Sequence, residues 1–175
     1  RVRRVDGAGG AVTAPDGLLL VDKDLGITSH DVVSRVRRLA ATRKVGHAGT
    51  LDPMATGLLT VGVGKATRLL NYLVGADKTY EATIRLGVGT DTEDAHGQVT
   101  QVVAPGQVDL GRLQAAAAQL TGPISQVPSS FSAIKVNGVR AYDLARSGQE
   151  VELEARQVTI HSFDLGQVNS TSASY

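Results

Sequence analysis

The chain has 175 residues, of which 42% are apolar, and this is enough to bury one sizeable core. It contains no cysteine, which excludes a disulfide framework and a thiolate metal site, and no apolar run or leader pattern predicts a membrane span or a signal peptide. The net charge of +1 is unevenly spread: residues 1–85 hold 13 basic and 8 acidic side chains, whereas residues 86–175 hold 5 and 9. This asymmetry is either ordinary surface charge or part of a polyanion-binding face.

The first half of the chain predicts a tail, a strand and a helix. Residues 1–15 are rich in Gly, Ala and Arg, so we expect a flexible basic tail ahead of one domain over 16–175. Leu18 to Val21 predicts a short apolar strand. A helix to about Ala41 should follow, because Thr28 and Asp31 can form a capping box at its start. The apolar stripe of this helix consists of Val32, Val33, Val36, Leu39 and Ala40.

The remaining elements are again of both kinds. Alternation of apolar and polar residues over 80–86 predicts a half-buried strand. The dipeptide Asn137-Gly138 predicts a hairpin turn. Other apolar patterns predict buried strands at Leu58–Val63 and Val158–Leu165, and helices at Ala66–Leu73 and from Leu110 to Leu120, the last stopped by Gly122-Pro123.

One acidic residue, Asp52, stands in a loop that is otherwise built from Gly, Ala, Thr and Pro. Glycines at 46, 49 and 57 permit tight or positive-φ turns and close approach of a ligand. Pro53 restricts Asp52 to an extended conformation, so the backbone aims the carboxylate. A lone carboxylate in a stiff loop suits a nucleophile or a base. The alternative is an Asx-type turn in which Asp52 only bonds neighbouring amides.

Several motifs occur in the same order as in one known family. The run Gly46-His-Ala-Gly-Thr-Leu-Asp-Pro-Met-Ala-Thr-Gly57 meets every fixed position of the pattern G-H-x-G-x-L-D-P-x-A-x-G. This run resembles the catalytic loop of the TruB family of tRNA pseudouridine synthases, and other segments of the chain resemble other motifs of that family. The further matching segments are Gly17 to Lys23, Thr28-Ser29, Gly64-Lys-Ala-Thr-Arg68, Lys78-Thr-Tyr80, Gly87 to Gly97 and Gln126 to Gly148.

The resemblance implies an α/β fold with a mixed, largely antiparallel central sheet, and an enzyme that isomerises uridine 55 in the TΨC loop of tRNA to pseudouridine. Asp52 would be the nucleophile, attacking either the sugar or the uracil ring, on a base flipped out of its stack. The reaction needs no redox partner or group donor, so no cofactor is expected. We also expect no metal, because the four histidines lack paired ligand spacing.

The resemblance also assigns residues that bind the RNA. Tyr80 would stack on the flipped base, although a core strand aromatic is an equal alternative. His47 would lie near the flipped nucleotides, and Lys23 would either stabilise the loop or touch phosphate. Lys65 and Arg68 open a helix near the loop, where phosphate contact and simple solvation are equally supported. A thumb over about 126–150 would clamp the TΨC stem-loop through its basic residues Lys135, Arg140 and Arg146.

The end of the chain departs from the family pattern. The G-x-Y-[IV]-R motif expected after the last strand is absent from 166–175, so we expect a partial catalytic domain, incomplete at its C-terminus. The substrate partner is expected to be tRNA, with no membrane and no protein partner, for a cytoplasmic monomer. Two alternatives stay open: a dyskerin-like, guide-RNA-directed synthase, and a tRNA-binding or RNA-folding module without turnover.

Overall fold

A computed structural model describes residues 14–168 except 105, 107, 131–133, 137, 142–143, 145–146, 148–150 and 152, and describes Lys135 and Arg140 by their backbone only. The chain divides into two compact units, Arg1–Glu81 and Ala82–Tyr175. The single domain over 16–175 stays a prediction. Residues 1–13 of the predicted tail lie outside the described residues. In the part that is described, no helix has the length and apolar character to cross a membrane.

The first unit contains a three-stranded antiparallel sheet with the strand order β1-β3-β2. Lys23 at the end of β1 lies opposite Gly57 at the start of β3, and Ala48 at the end of β2 lies opposite Thr60. The connections that follow β1 and β2 therefore leave the sheet at the same edge. The strands are β1, Gly17–Lys23; β2, Val45–Ala48; and β3, Gly57–Val63.

Helix α1, Ser29–Leu39, packs on this sheet. The predicted capping box is confirmed, because Thr28 Oγ1 accepts from the Asp31 amide while Asp31 Oδ2 accepts from the Thr28 amide. The helix ends at Leu39, two residues before the predicted end, and Ala41 adopts a φ of 50°. The buried core between helix and sheet consists of Val32, Val33, Val36, Ala40, Val45, Leu59, Val61 and Val63.

The predicted helix over Ala66–Leu73 is present as a 3₁₀ helix, Gly64–Leu69, that continues as α2, Leu70–Leu73. Its start is tied to the start of β1, because the Lys65 amide donates to Asp16 Oδ1 at 2.7 Å. The helix then returns along β2: Leu70 Cδ1 lies 3.2 Å from where a Cβ on Gly46 would stand. A side chain at position 46 would therefore require the Leu70 side chain to shift by a few tenths of an ångström.

The predicted strand over 80–86 is wrong. The segment has no regular secondary structure, and its apolar side chains are exposed, with Tyr80 68% and Ile84 67% accessible. Alternating side chains favour a strand only where a neighbour pairs its backbone groups and covers its apolar face. Among the described residues no strand does so for this segment.

The second unit contains a loop held by two carboxylates, of which Asp91 Oδ1 accepts from the Gln98 amide at 2.7 Å. Asp94 Oδ1 accepts from the Thr92 hydroxyl at 2.7 Å and from the amides of His96 and Gly97 at 2.8 and 3.2 Å. Partial burial acts to raise the pKa of Asp94, but these hydrogen bonds outweigh it and lower the pKa below its ordinary value. The loop is therefore a self-satisfied turn between two short strands, Val88–Thr90 (β4) and Val99–Val102 (β5).

Among its described residues, the second unit also includes a helix and two antiparallel strand pairs. Helix α3, Leu110–Gln119, is confirmed close to its predicted bounds, with Asp109 as its N-cap. Gly122-Pro123, predicted only to stop this helix, also opens strand β6. The strands on either side of the predicted hairpin turn pair with each other, and Asn137 itself lies outside the described residues. The pairs are β6, Gly122–Gln126, with β9, Arg156–Ile160, and β7, Lys135–Val136, with β8, Val139–Arg140.

The predicted fold class is confirmed, because helices and strands are mixed and every strand pairing is antiparallel. The strands of the described residues form four separate sheets, one of three strands and three of two, rather than one central sheet. Strand β9 also ends at Ile160, five residues before the predicted end. The three-stranded sheet is the part of the fold that positions the candidate site.

Candidate active site

Asp52 lies in the loop that joins β2 to β3, at the edge of the sheet where β1 also ends. The loop leaves β2 through Gly49 and enters β3 through Gly57, whose φ angles are +83° and +111°. Both angles lie in the region that only glycine adopts readily, so the predicted positive-φ turns are confirmed at these two positions. The turn from β1 to α1, residues 24–28, lies beside this loop.

The backbone on both sides of Asp52 is held by that neighbouring turn and the helix start. Before Asp52, the Ser29 hydroxyl donates to the Leu51 carbonyl at 3.2 Å and accepts from the Leu51 amide at 3.0 Å. After it, the Pro53 carbonyl accepts from the Gly26 amide at 2.7 Å. These bonds join the loop to the first strand–helix connection, which is 22 or more residues away in sequence.

The carboxylate of Asp52 itself is exposed and makes no hydrogen bond or ion pair with any residue that the structure describes. Only its backbone carbonyl is engaged, accepting from the Ala55 amide at 3.0 Å. An Asx-type turn requires the carboxylate to accept from a nearby amide, so the structure disfavours that alternative. A fixed backbone with an unengaged carboxylate is the arrangement expected of a nucleophile or a base.

Lys23 joins the β1–α1 turn to the Asp52 loop through its side chain. Its side chain is 1% exposed, and its ammonium donates to the carbonyls of Asp24 at 3.0 Å and Ile27 at 2.8 Å, with the Pro53 carbonyl at 3.5 Å. Because each of the three N–H donors of the ammonium faces a carbonyl, no further donor is available for a phosphate. This geometry supports the loop-stabilising alternative for Lys23 over the phosphate contact.

His47 lies on β2, half-buried, with its Nδ1 against the Gly49 carbonyl. A carbonyl only accepts, so Nδ1 carries the proton and Nε2 is the ring nitrogen free to accept from a ligand in the neutral form. The ring also meets the exposed His30 ring edge-on, with 5.6 Å between centroids and 79° between planes. His47 is thus oriented beside the loop, and its contact with RNA stays a prediction.

Lys65 and Arg68 do not lie where the sequence predicted. They are exposed on the 3₁₀ helix that follows β3, at the end of that strand opposite to the Asp52 loop. The strand has seven residues, so six steps of roughly 3.3 Å separate its two ends, a span of about 20 Å. The predicted closeness to the loop is wrong because the interval between the loop and the helix is an extended strand, whereas phosphate contact by Lys65 and Arg68 stays a prediction.

Tyr80 follows the point at which the chain returns to the loop. Lys78 Cε lies 3.8 Å from where a Cβ on Gly49 would stand, and its ammonium donates to the carbonyls of Val74 and Ala76, both at 2.9 Å. Tyr80 is two residues further on and 68% exposed. A core strand aromatic would be buried, so the structure disfavours that alternative, and base stacking stays a prediction.

The thumb residues add little to the described site. Lys135 and Arg140 face each other in the register of β7 and β8, and their side chains are outside the description. Arg146 lies outside the described residues. Their predicted role as a clamp on RNA therefore stays a prediction.

Sequence reasoning missed Ser29 and Gly26 as supports of the loop. Ser29 occupies the same helix face as Val32, Val33 and Val36 and is 2% exposed. A hydroxyl at a position of the apolar stripe needs a partner when it is buried. The polar residue at an apolar position of the helix was therefore the sequence signal for this support. It was overlooked because the neighbouring Thr28 already accounted for a polar residue at the helix start.

Comparison with known proteins gives a consistent result. Residues 37–175 match the family model described as TruB family pseudouridylate synthase, N-terminal domain. A protein named tRNA pseudouridine synthase B from Arthrobacter sp. (strain FB24) is 62% identical over 157 residues, which are 90% of this chain and 51% of that protein. The chain spans about half the length of the curated relatives it matches.

Two further relatives carry the same name. The protein from Thermobifida fusca (strain YX) is 60% identical over 86% of this chain and 51% of its own length, and that from Mycobacterium tuberculosis (strain H37Rv) is 56% identical over 89% and 52%. Among solved structures, a chain of a Cbf5-Nop10-Gar1 complex matches 68% of this chain and 31% of its own, with 27% identity and a TM-score of 0.46.

Proposed function

The chain belongs to the TruB family of pseudouridylate synthases, and on that premise we propose that the full-length protein isomerises uridine 55 of the tRNA TΨC loop to pseudouridine, with Asp52 as the nucleophile. The observation that carries the proposal is the Asp52 loop. It meets the family pattern, its backbone is tied on both sides, and its carboxylate is exposed without a partner among the described residues. The relatives named tRNA pseudouridine synthase B support tRNA as the substrate.

The reaction is an isomerisation that balances within one nucleotide. The bond from ribose C1′ to uracil N1 breaks, the uracil turns, and a bond from C1′ to C5 forms. The C5 hydrogen leaves and N1 gains a proton, so neither a redox partner nor a group donor is consumed. Asp52 would hold the separated fragments by attacking the sugar or the ring, and covalent capture divides one difficult step into two easier ones.

The surrounding residues would position the flipped nucleotide. Removing a uridine from its stack costs a few kcal/mol, roughly, and an aromatic face recovers part of this by stacking. Tyr80, exposed where the chain returns to the loop, is the proposed stacking partner. His47, with Nε2 free to accept, is the proposed contact for nucleotides next to the target. The thumb cations Lys135, Arg140 and Arg146 would bind phosphate and set register.

Within this proposal the protein acts as a cytoplasmic monomer without a protein partner. The names and identities of the relatives favour this reading over a guide-RNA-directed synthase, which needs protein partners. They also favour it over a module without turnover, because the nucleophile and the stacking residue are both in place in this sequence.

The proposal is tested with the full-length protein and unmodified tRNA that carries tritium at uridine C5. Since C5 forms the new bond, each turnover should release one tritium to water. Asp52→Asn keeps the shape of the side chain and should abolish release while tRNA binding stays within about threefold. Asp164→Asn is the control, because it removes an exposed carboxylate from a residue outside the Asp52 loop and outside the β1–α1 connection that supports it, and it should release tritium at the parent rate.

Position is checked by mapping pseudouridine along the product. Modification at uridine 55 alone is expected, and modification only at other positions would overturn the assignment to the TΨC loop. Turnover by Asp52→Asn near the parent rate would remove Asp52 from its role. Absence of turnover by the parent protein would leave the module without turnover as the better description.

A further inference from the structure

Ser29 is a buried polar residue whose bonding is not explained by its own helix. It begins α1, and its side chain is 2% exposed among the apolar residues of the helix face. The helix is capped by Thr28 and Asp31, so it does not need the Ser29 hydroxyl. Both hydrogen bonds recorded for that hydroxyl instead go to Leu51, one as donor at 3.2 Å and one as acceptor at 3.0 Å.

The two bonds fix the backbone that enters Asp52. The Leu51 carbonyl belongs to the planar peptide that also contains the Asp52 amide, so holding that carbonyl sets the orientation of the peptide plane. The bond to the Leu51 amide holds the preceding peptide as well. The Leu51 side chain packs against the buried core, which anchors the same residue by a third contact.

The backbone that leaves Asp52 is fixed separately. The Pro53 carbonyl accepts from the Gly26 amide at 2.7 Å and faces the Lys23 ammonium at 3.5 Å. Ser29 is therefore the side chain that holds the entry to Asp52, while the β1–α1 turn holds the exit. Among the described residues, the side chain of Asp52 is left without a tie, and its direction follows from the two peptides around it.

We propose that Ser29 is a positioning residue for the Asp52 carboxylate, an inference that rests on the proposed role of Asp52 as nucleophile. A nucleophile accelerates a reaction only when it is held near its attack geometry, and a misplacement of about 1 Å costs on the order of 100-fold in rate. Without the hydroxyl, the Leu51 peptides lose both hydrogen bonds to the Ser29 side chain, and the Asp52 carboxylate samples other orientations. The rate of the chemical step should fall, whereas the surface that binds tRNA is unchanged.

The test uses the full-length protein under single-turnover conditions, with enzyme in saturating excess over tritiated tRNA. Ser29→Ala should lower the observed rate constant by about 10- to 100-fold and leave the dissociation constant for tRNA within about threefold. Ser29→Cys keeps a small side chain with a weak donor and a weak acceptor, so its rate constant should fall between those of the parent and Ser29→Ala. Ser34→Ala is the matched control, because Ser34 is exposed on the same helix.

The single-turnover rate constant separates positioning from a loss of folded protein. At saturating enzyme, a smaller folded fraction leaves the rate constant unchanged as long as the folded enzyme still saturates, which a second enzyme concentration verifies. Ser29→Ala and Ser29→Cys both within twofold of the parent would overturn the inference while leaving the proposed function intact. Equal losses in rate and in tRNA binding would also overturn it. An inactive parent protein, or an active Asp52→Asn, would overturn the proposed function itself.

Discussion

Lys23→Met separates the two roles considered for Lys23, because methionine keeps an unbranched apolar side chain and removes the ammonium. In the structure that ammonium is the recorded side-chain partner of the Asp24 and Ile27 carbonyls, at 3.0 and 2.8 Å. The Pro53 carbonyl retains the Gly26 amide after the change. The carbonyl of an exposed residue and that of a half-buried residue therefore lose a charged donor.

The expected magnitude follows from those two carbonyls. A hydrogen bond to a charged group contributes about 1.5–3 kcal/mol, so the two bonds contribute about 3–6 kcal/mol, less what water restores at the exposed Asp24 and the half-buried Ile27. Removing an ammonium that is 1% exposed regains part of its desolvation penalty. We expect a net loss of about 2–4 kcal/mol in the free energy of unfolding, seen as a lower urea midpoint with an unchanged m-value.

The matched control is Lys65→Met, which removes an equal charge from an exposed lysine on the 3₁₀ helix. Its free energy of unfolding should stay within about 0.5 kcal/mol of the parent value. The salt dependence of tRNA binding supplies a second readout, because losing one phosphate contact changes the slope by about 0.7–0.9. The slope should be the same for Lys23→Met and the parent. Equal urea midpoints for the two variants, or a flatter slope for Lys23→Met, would refute the loop-supporting role.

Substitutions at two further residues probe the helix start and the proposed stacking role of Tyr80. The hydrogen bond from Thr28 lowers the pKa of Asp31 below its ordinary value, so its charge stabilises the fold above the unfolded pKa and this contribution is lost as pH falls through the folded pKa. Urea unfolding should therefore show Asp31→Asn less stable than the parent at pH 7, with the difference shrinking below about pH 4; a constant difference would contradict this. Tyr80→Phe should keep near-parental turnover and Tyr80→Leu should lose most of it, with both thermal midpoints unchanged because the ring is 68% exposed; equal, mild losses of turnover would argue against stacking.

The sequence predicted best those elements whose signals are local. The capping box of Thr28 and Asp31 specifies the start of α1, and the apolar run of β3 specifies the central strand. By contrast, β2 contains Gly-His-Ala and has no alternating pattern that would predict a strand. It is a strand because it pairs with β3. The alternation over 80–86 misled for the converse reason, since pattern alone provides no partner strand.

The candidate site was predictable in its residue and not in its supports. Asp52 is identified by an acidic residue in a glycine-rich loop and by the family pattern around it. The bonds from Ser29 to Leu51 join positions 22 residues apart and depend on how the sheet brings two connections to one edge. The misplacement of Lys65 has the same origin, because distance along the chain does not show which end of a strand a helix follows.

The close spacing of Lys23, Gly26, Thr28, Ser29 and Asp31 has a consequence for how the loop moves. One stretch of nine residues forms the helix cap and also holds both peptides beside Asp52. Fraying of the first helical turn and opening of the loop therefore belong to one cooperative event, in the sense of a foldon, rather than to two independent fluctuations. The order of the Asp52 loop then depends on the local stability of the strand–helix connection, and heating or acid that loosens that connection releases the loop with it.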